Sequence, residues 1–349
     1  MIRKLLLVSN RRALLVRLFR ANRWWVIANR TLFVRTGFDS AAGLKPKDWV
    51  FRRIFVRGTK SSPRIMALVV DLGRLGNALS RVSKAVTVAQ ENHWAGVVVP
   101  RHSHFPAYSA LIARETVDID GFLITCGDSR WGAQGSPDLI VRREFHNEPI
   151  EPGPETRTVA KQAVRELFSG LQPRGDLSDS TLAIHVRSGD IYFRERVGNW
   201  GQPPVAYYER IIREGRWERV LVVCEDKESP VLRPIEALCD DLGIKHIFQS
   251  TTLAEDLAVL VGAKNLVVGR GTFAPAVVLL NPVLERIFFF EDRFDSKFLD
   301  QSTKVIRVVD QAGDYRENVL QGKWVNSPAQ RQLMVDYPAS ALTLETVSS

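Results

Sequence analysis

Three side chains that could bind or activate a phosphorylated ligand follow one another closely, at His185, Arg187 and Asp190. A guanidinium group presents a rigid fork of N–H donors that matches a phosphate. An imidazole can hydrogen-bond a base or a ribose, and a carboxylate can accept a proton or anchor its own loop. A purely structural interpretation also fits, with Arg187 and Asp190 as a surface ion pair and His185 as a core residue.

The element that positions these residues is a predicted buried strand from Thr181 to Val186, which is mostly apolar and ends at a Ser-Gly-Asp turn. A second predicted strand, Arg219–Cys224, ends in the same way just before Asp226. Ligands of open α/β sheets bind beyond the carboxyl ends of the strands. The polar residues at these strand ends are therefore predicted to converge on one crevice.

Two glycine-containing turns stand between a predicted strand and a predicted helix. The first contains Gly73 and Gly76 and leads into a helix over residues 77–92. The second, residues 269–273, leads into a helix predicted at Phe273–Leu280. Glycine lets backbone amides approach a ligand closely, and the free amides at a helix start suit a phosphate. Each turn also fits an ordinary tight turn without a ligand.

The alternation of strands, turns and helices predicts an α/β fold with parallel sheets. A chain of 349 residues can hold two core-bearing domains, and residues 148–155 contain three prolines and a glycine, which favours a linker. The predicted division is a basic extension (1–62), a first domain (63–150), a second domain (151–330) and a C-terminal tail (331–349) with a frayed end (339–349).

The positive charge of the chain is concentrated in its first tenth. Residues 1–38 contain nine Lys and Arg and no acid, and the remaining 39 bases and 39 acids cancel. The basic character is therefore no sign that the body of the protein binds nucleic acid. Residues 11–26 could form a basic amphipathic helix on an anionic membrane surface. A cationic surface helix, a disordered tail or a misplaced start codon would explain them as well.

Cysteine usage and hydropathy indicate the compartment. The three cysteines (Cys126, Cys224 and Cys239) have no metal-type spacing, and an odd, sparse set favours a reducing environment. No metal site is predicted. No apolar run approaches the roughly 20 residues that a membrane span needs. A cytoplasmic protein is expected, bound to the inner face of a membrane if residues 1–38 act as a peripheral contact.

Three blocks of the chain resemble the fucosyltransferase superfamily that contains the α1,2-, α1,6- and protein O-fucosyltransferases. The sequence His185-Val-Arg-Ser-Gly-Asp190 is similar to its His-x-Arg-Arg-Gly-Asp motif, with Ser188 in place of the second arginine. The segment from Gly73 to Asn77 is similar to the glycine-rich opening of its N-terminal domain. The block over residues 252–282 resembles a third, acid-plus-Ser/Thr-Phe pattern. The blocks occur in the family order.

The resemblance implies two Rossmann-like domains that face a cleft, the GT-B arrangement, and inverting, metal-independent transfer of fucose from GDP-fucose to a glycan hydroxyl. No cofactor is implied beyond the GDP-sugar donor. Arg187 would contact the donor pyrophosphate. An inverting transfer needs a general base to deprotonate the acceptor hydroxyl, and Asp190 and Glu195 are the candidates in this sequence. The other implied donor-site residues are Gly73, Gly76, Asn77, His185, Asp226, Asp256, Gly271, Thr272 and Phe273.

Other functions remain open at this point. Because Ser188 departs from the fucosyl motif, a glycosyltransferase that uses another nucleotide sugar is the first alternative. The second is a catalytically inactive protein that binds a nucleotide or a glycan. The expected partners are a nucleotide sugar and a glycan acceptor, with no nucleic acid.

Overall fold

The computed structural model describes residues 65–68, 75–91, 93–100, 116–127, 139–141, 153–193, 198–291 and 299–347. These residues form a five-stranded and a seven-stranded sheet, both mainly parallel, with helices between the strands. The predicted α/β fold class is confirmed. Of the predictions above, those on residues 1–62, Gly73, Glu195 and most of the linker lie outside the described residues.

The first sheet belongs to the N-terminal half of the chain. Its strands are β1 (Ile65–Leu68), β2 (Gly96–Pro100), β3 (Thr116–Ile119), β4 (Phe122–Gly127) and β5 (Leu139–Val141). They lie in the order β3-β4-β2-β1-β5, and β3 alone among these strands is antiparallel to its neighbour. Helix α1 (Leu75–Glu91) follows β1, two residues earlier than the glycine turn predicts.

The chain enters the second sheet at one of its inner strands. Its strands are β6 (Thr181–Val186), β7 (Arg219–Cys224), β8 (Lys245–Gln249), β9 (Asn265–Val267), β10 (Arg286–Phe290), β11 (Lys304–Asp310) and β12 (Leu342–Val347). The order is β8-β7-β6-β9-β10-β11-β12. The chain runs outward from β6 through β7 and β8, then returns to the other side of β6 as β9. The order reverses between β6 and β9, which is the topological switch point where doubly wound sheets bind ligands.

Helices cover both faces of this sheet. They are α3 (Val205–Glu214), α4 (Leu232–Asp241), α5 (Leu253–Val261), α6 (Phe273–Leu280), α7 (Asp314–Val319) and α8 (Pro328–Asp336). The preceding helix, α2 (Pro154–Leu167), packs against α1, α6 and strand β3 of the first sheet. The start of α5 is a capping box, in which the Thr252 hydroxyl accepts the Glu255 N–H at 3.3 Å and a Glu255 carboxylate oxygen accepts the Thr252 N–H at 3.0 Å. No described helix has the length and apolarity needed to cross a bilayer.

Helix α6 is the element on which the two halves of the chain meet. Helices α1 and α2 both pack against it, and one core of buried apolar residues includes members of all three. At Gly76, in the first turn of α1, a Cβ atom would lie only 2.5 Å from the Thr272 carbonyl group. Arg165 of α2 donates hydrogen bonds to the carbonyl oxygens of Leu279, at 3.0 Å, and Asn281, at the end of α6.

The C-terminal residues differ from the sequence prediction. The prediction of a frayed end is wrong for residues 339–347, because Leu342–Val347 form β12, which pairs antiparallel with β11 at the sheet edge. Leu342 is buried, and Glu345 forms an ion pair with Arg307 of β11 at 2.7 Å. The pairing gives hydrogen-bond partners to backbone groups that would otherwise be exposed along β11, and this is why the short segment forms a strand.

Candidate functional site

The Arg187 guanidinium lies at the carboxyl end of β6, where three segments of the chain converge. Its Cζ atom lies over the ring of Trp200, 5.0 Å from the ring centroid. The Asp190 carboxylate is 3.8 Å from Nη2, an ion pair beyond hydrogen-bond length. A Cβ atom at Gly271 would approach Nη1 to 2.6 Å, so a glycine is required there for the arginine to keep its position.

The turn between β9 and α6 faces Arg187 across the switch point. Thr272 stands at the N-cap of α6, and both Gly271 and Thr272 are exposed. Gly271 has a φ of +132°, which a side chain rarely permits. Within the described residues the Thr272 hydroxyl makes no capping bond to the helix. The first N–H groups of a helix have no partner inside it and carry partial positive charge, so this turn and Arg187 together can hold an anion.

A buried amide that the sequence analysis did not single out joins the segments. Gln202 donates to the carbonyl oxygens of Trp200 at 3.0 Å and Arg270 at 3.3 Å, and its own carbonyl oxygen accepts the Arg270 N–H at 3.0 Å. The Arg270 side chain donates to the Gly201 carbonyl at 3.0 Å. The loop that carries Trp200 is thereby tied to the turn that carries Gly271. No local signal predicted this, since the partners are 68 residues apart.

His185 lies at the same strand end, with its ring against Phe273 of α6 at a centroid distance of 4.7 Å. Its Nδ1 atom is buried and has no hydrogen-bond partner among the described residues. Burial, and to a smaller extent the positive charge of Arg187, lowers the pKa of His185 to about 3. The imidazole is therefore neutral at physiological pH, with one ring nitrogen able to donate a hydrogen bond and the other able to accept one.

Ser188 and Asp226 form a brace between the ends of β6 and β7. The buried Ser188 hydroxyl donates to Asp226 Oδ1 and accepts the Ser229 N–H at 3.1 Å. The same Asp226 oxygen accepts the N–H groups of Gly189 at 3.2 Å and Glu228 at 2.9 Å. At the position where the resembling motif has its second arginine, this chain therefore has a loop anchor and no second cation.

Asp256 lies apart from this cluster, at the start of α5 beside β8, two strands away from β6. It accepts hydrogen bonds from the Gln249 side chain and the Thr251 hydroxyl, each at 2.9 Å. In the structure it anchors the loop between β8 and α5. Its predicted contact with a nucleoside stays a prediction.

The structure brings together most of the described residues that the sequence predicts for the donor site. Gathered around the switch point are His185, Arg187, Asp190, Gly271, Thr272, Phe273 and Gly76. Asp226 is linked to this group because its carboxylate accepts a hydrogen bond from the Gly189 N–H. Asn77 follows Gly76 in the first turn of α1 and is half-buried. Gly76 itself packs against the Thr272 backbone, so it sets how closely α1 approaches this site.

Neither a family model nor a curated protein sequence matches this chain. Among solved structures it is similar to E. coli heptosyltransferase WaaC with ADP, at a TM-score of 0.41, 11% identity and coverage of 77% of this chain and 98% of that one. A glycosyl transferase family 9 protein from Veillonella parvula gives a TM-score of 0.38 and 10% identity over 74% of this chain and 90% of that one.

A third similar structure is POFUT1 in complex with GDP-fucose, at a TM-score of 0.29 and 12% identity. The likeness covers 44% of this chain and spans about half of POFUT1, 54% of its length. Since these three TM-scores are below 0.5, the fold assignment rests on the strand order and not on the likenesses.

Proposed function

We propose that this protein is a glycosyltransferase that binds the diphosphate of a nucleotide sugar between the ends of β6 and β9. One observation carries the proposal: Arg187 at the end of β6 and the first turn of α6 after β9 lie on the two sides of the topological switch point. A guanidinium and helix-start amides are complementary to phosphate oxygens.

The same groups would serve the chemistry. Cleavage of the bond between the sugar and the diphosphate leaves negative charge on the departing phosphate oxygens. Arg187 and the amides of Thr272 and Phe273 are placed to stabilise that charge without a metal ion. Asp190, whose carboxylate is partly exposed beside Arg187, is our candidate for the base that deprotonates the attacking glycan hydroxyl. Glu195, the second candidate, lies outside the described residues.

GDP-fucose is the donor that the motif resemblance favours. The brace between Ser188 and Asp226 is the reason to keep other nucleotide sugars as the alternative. A buried serine that is bonded to a carboxylate offers no second positive charge to a diphosphate. Among the residues that the structure describes, Arg187 and the α6 turn are the groups proposed to hold the diphosphate, and they recognise phosphate and not the base or the sugar.

The test is calorimetric titration of the protein with GDP, UDP, ADP and CMP, repeated with Arg187→Ala. Arg286→Ala is the matched control, because Arg286 also lies over a tryptophan ring, Trp217, at 5.0 Å, but at the amino end of β10. We expect one of the three nucleoside diphosphates to bind, with binding about 100-fold or more weaker in Arg187→Ala and unchanged in Arg286→Ala. If the wild-type protein binds none of the four, the proposal is wrong.

A second measurement separates an enzyme from an inactive binding protein. The sugar nucleotides of whichever base binds are incubated with the protein and a mixture of glycans that supplies acceptor hydroxyls, and the released nucleoside diphosphate is followed over time. Release that Arg187→Ala abolishes supports a transferase. Binding without any release would favour the non-catalytic alternative.

A further inference from the structure

We infer that Trp200 is a positioning residue of this site, and that its ring holds the Arg187 guanidinium in the orientation in which it meets a diphosphate. The inference rests on the proposed function, because it concerns how the proposed diphosphate site is organised. Trp200 lies ten residues beyond the motif His185–Asp190, and no motif residue of the resemblance was matched to it.

The first support is the surroundings of the guanidinium. Its Cζ atom lies 5.0 Å from the centroid of the Trp200 ring, within the range of a cation–π contact. Gly271 contributes a second boundary, because its missing Cβ leaves the space that Nη1 occupies. A guanidinium that lies over an aromatic face keeps its N–H groups in its own plane, directed outward. That is the arrangement a bidentate phosphate contact requires.

The second support is that Trp200 is held independently of Arg187. Its carbonyl oxygen accepts a hydrogen bond from Gln202 at 3.0 Å, and its ring packs against a core of buried apolar residues that includes Tyr207 and Trp324. Two residues earlier, the Gly198 N–H donates to the Trp324 carbonyl at 3.0 Å, and Trp324 is fully buried. The ring is therefore in place before a ligand arrives. A pre-oriented cation loses less conformational entropy on binding than a mobile one.

The third support is the contrast with Arg286. Its Nε donates to the Asn265 side chain at 2.5 Å and its Nη2 to the Asp179 carbonyl at 3.3 Å, so contact with Trp217 adds to a hydrogen-bonded structural link. For Arg187 the ion pair with Asp190 is longer, at 3.8 Å. The ring of Trp200 and the Asp190 carboxylate both lie beside the Arg187 guanidinium, on the side of the sheet that faces the switch point.

The experiment compares Trp200→Leu with Trp200→Phe by titration with the nucleotide that the wild type binds. Leucine keeps apolar bulk against the core but removes the π face, whereas phenylalanine keeps a face. We expect Trp200→Leu to bind about 5- to 10-fold more weakly, as the loss of one cation–π contact implies. Trp200→Phe should recover most of that loss. Trp217→Leu is the matched control and should leave nucleotide affinity unchanged.

A double-mutant cycle separates positioning from general support of the loop. In the Arg187→Ala background, measured at millimolar nucleotide, Trp200→Leu should weaken binding no further, since there is no guanidinium left to orient. An equal loss in both backgrounds, or wild-type affinity in Trp200→Leu, would overturn the inference while nucleotide binding by the wild type still stands. Absence of binding by the wild type would instead remove the proposed function, and this inference with it.

Discussion

Two arginines lie over tryptophan rings at opposite ends of the parallel strands of the second sheet, and both Cζ atoms are 5.0 Å from the ring centroid. The side of the sheet formed by the carboxyl ends of these strands is called the carboxyl edge below, and the side formed by their amino ends the amino edge. Arg286, at the amino end of β10, also donates to Asn265 and to the Asp179 carbonyl, which joins β10 to β9 and to the loop before β6. Arg187, at the carboxyl end of β6, faces the switch point. Trp217 is buried, whereas Trp200 is only half-buried.

A cation–π contact with a tryptophan therefore does not by itself define the role of an arginine. The same pair of residue types consolidates the sheet at one edge and presents a charge at the other. The difference comes from topology, since the chain continues from β6 to β7 on one side and from β9 to β10 on the other, and ligands of doubly wound sheets bind at such a switch point. Each pair also has a neighbouring glycine, Gly215 beside Trp217 and Gly271 beside Arg187, which allows the two edges to be perturbed in parallel.

The largest expected effect is on nucleotide affinity, which Arg187→Ala should lower and Arg286→Ala should not. Arg187→Ala should weaken nucleotide binding by about 100-fold or more, because a charged bidentate contact is lost. Arg286→Ala should leave affinity unchanged but lower the free energy of unfolding by about 1–2 kcal/mol, through loss of a partly buried hydrogen bond and a cation–π contact. Titration calorimetry and urea denaturation of both variants measure the two quantities. Equal effects on affinity would remove the functional distinction between the edges.

Gly215→Ala should disturb the amino edge through its tryptophan. The new Cβ would overlap the Trp217 indole, which is buried and donates its Nε1–H to the Ile211 carbonyl at 3.0 Å. Overpacking of this kind costs about 1–3 kcal/mol of unfolding free energy. The affinity of the folded protein for nucleotide should not change. Gly175→Ala, where a Cβ meets nothing within 4 Å, is the control for the substitution itself.

Gly271→Ala should act at the carboxyl edge, on affinity more than on stability. The Cβ would meet the flexible end of Arg187, which can move aside and thereby leave the ring of Trp200. We expect binding about 10-fold weaker, with some loss of stability because the φ of +132° is unfavourable for alanine. Unchanged affinity in this variant would show that the position of the guanidinium does not matter.

The smallest expected effect is a pH dependence that belongs to the carboxyl edge. The pKa of His185 is about 3 in the folded protein and about 6.5 in an unfolded chain. As pH falls below 6.5 the unfolded chain gains a proton that the native protein does not, so stability decreases. Between pH 6.5 and 5.5 the loss is about 1 kcal/mol. His185→Gln should abolish this part of the pH dependence in urea denaturation, and an unaltered profile would contradict it.

Sequence reasoning succeeded where the signal is local. The helix Phe273–Leu280 is predicted correctly, because a strand–glycine–helix pattern is contained within a few residues. The position of Arg187 at a strand end followed from the apolar run before it. The parallel α/β architecture followed from repetition of that pattern.

What the sequence could not predict depends on residues that are distant in the chain. Gln202 contacts Arg270 only because the switch point brings their loops together. The structural role of Ser188 depends on its hydrogen bond to Asp226, which is 38 residues away in the chain. The strand β12 was missed because the segment is short and lies near a Ser- and Thr-rich end, and its pairing partner β11 is more than 30 residues away in the chain.

The way in which α6 is held has a thermodynamic consequence. The first half of the chain contacts both of its ends, through Gly76 at the first turn and Arg165 at the last carbonyls. Moving the two sheets apart must either break these contacts or carry α6 away from β9, and so separate its first amides from Arg187. An anion bound between them would oppose that separation. Ligand affinity and the separation of the sheets are thus linked, and each must change the other by the same free energy.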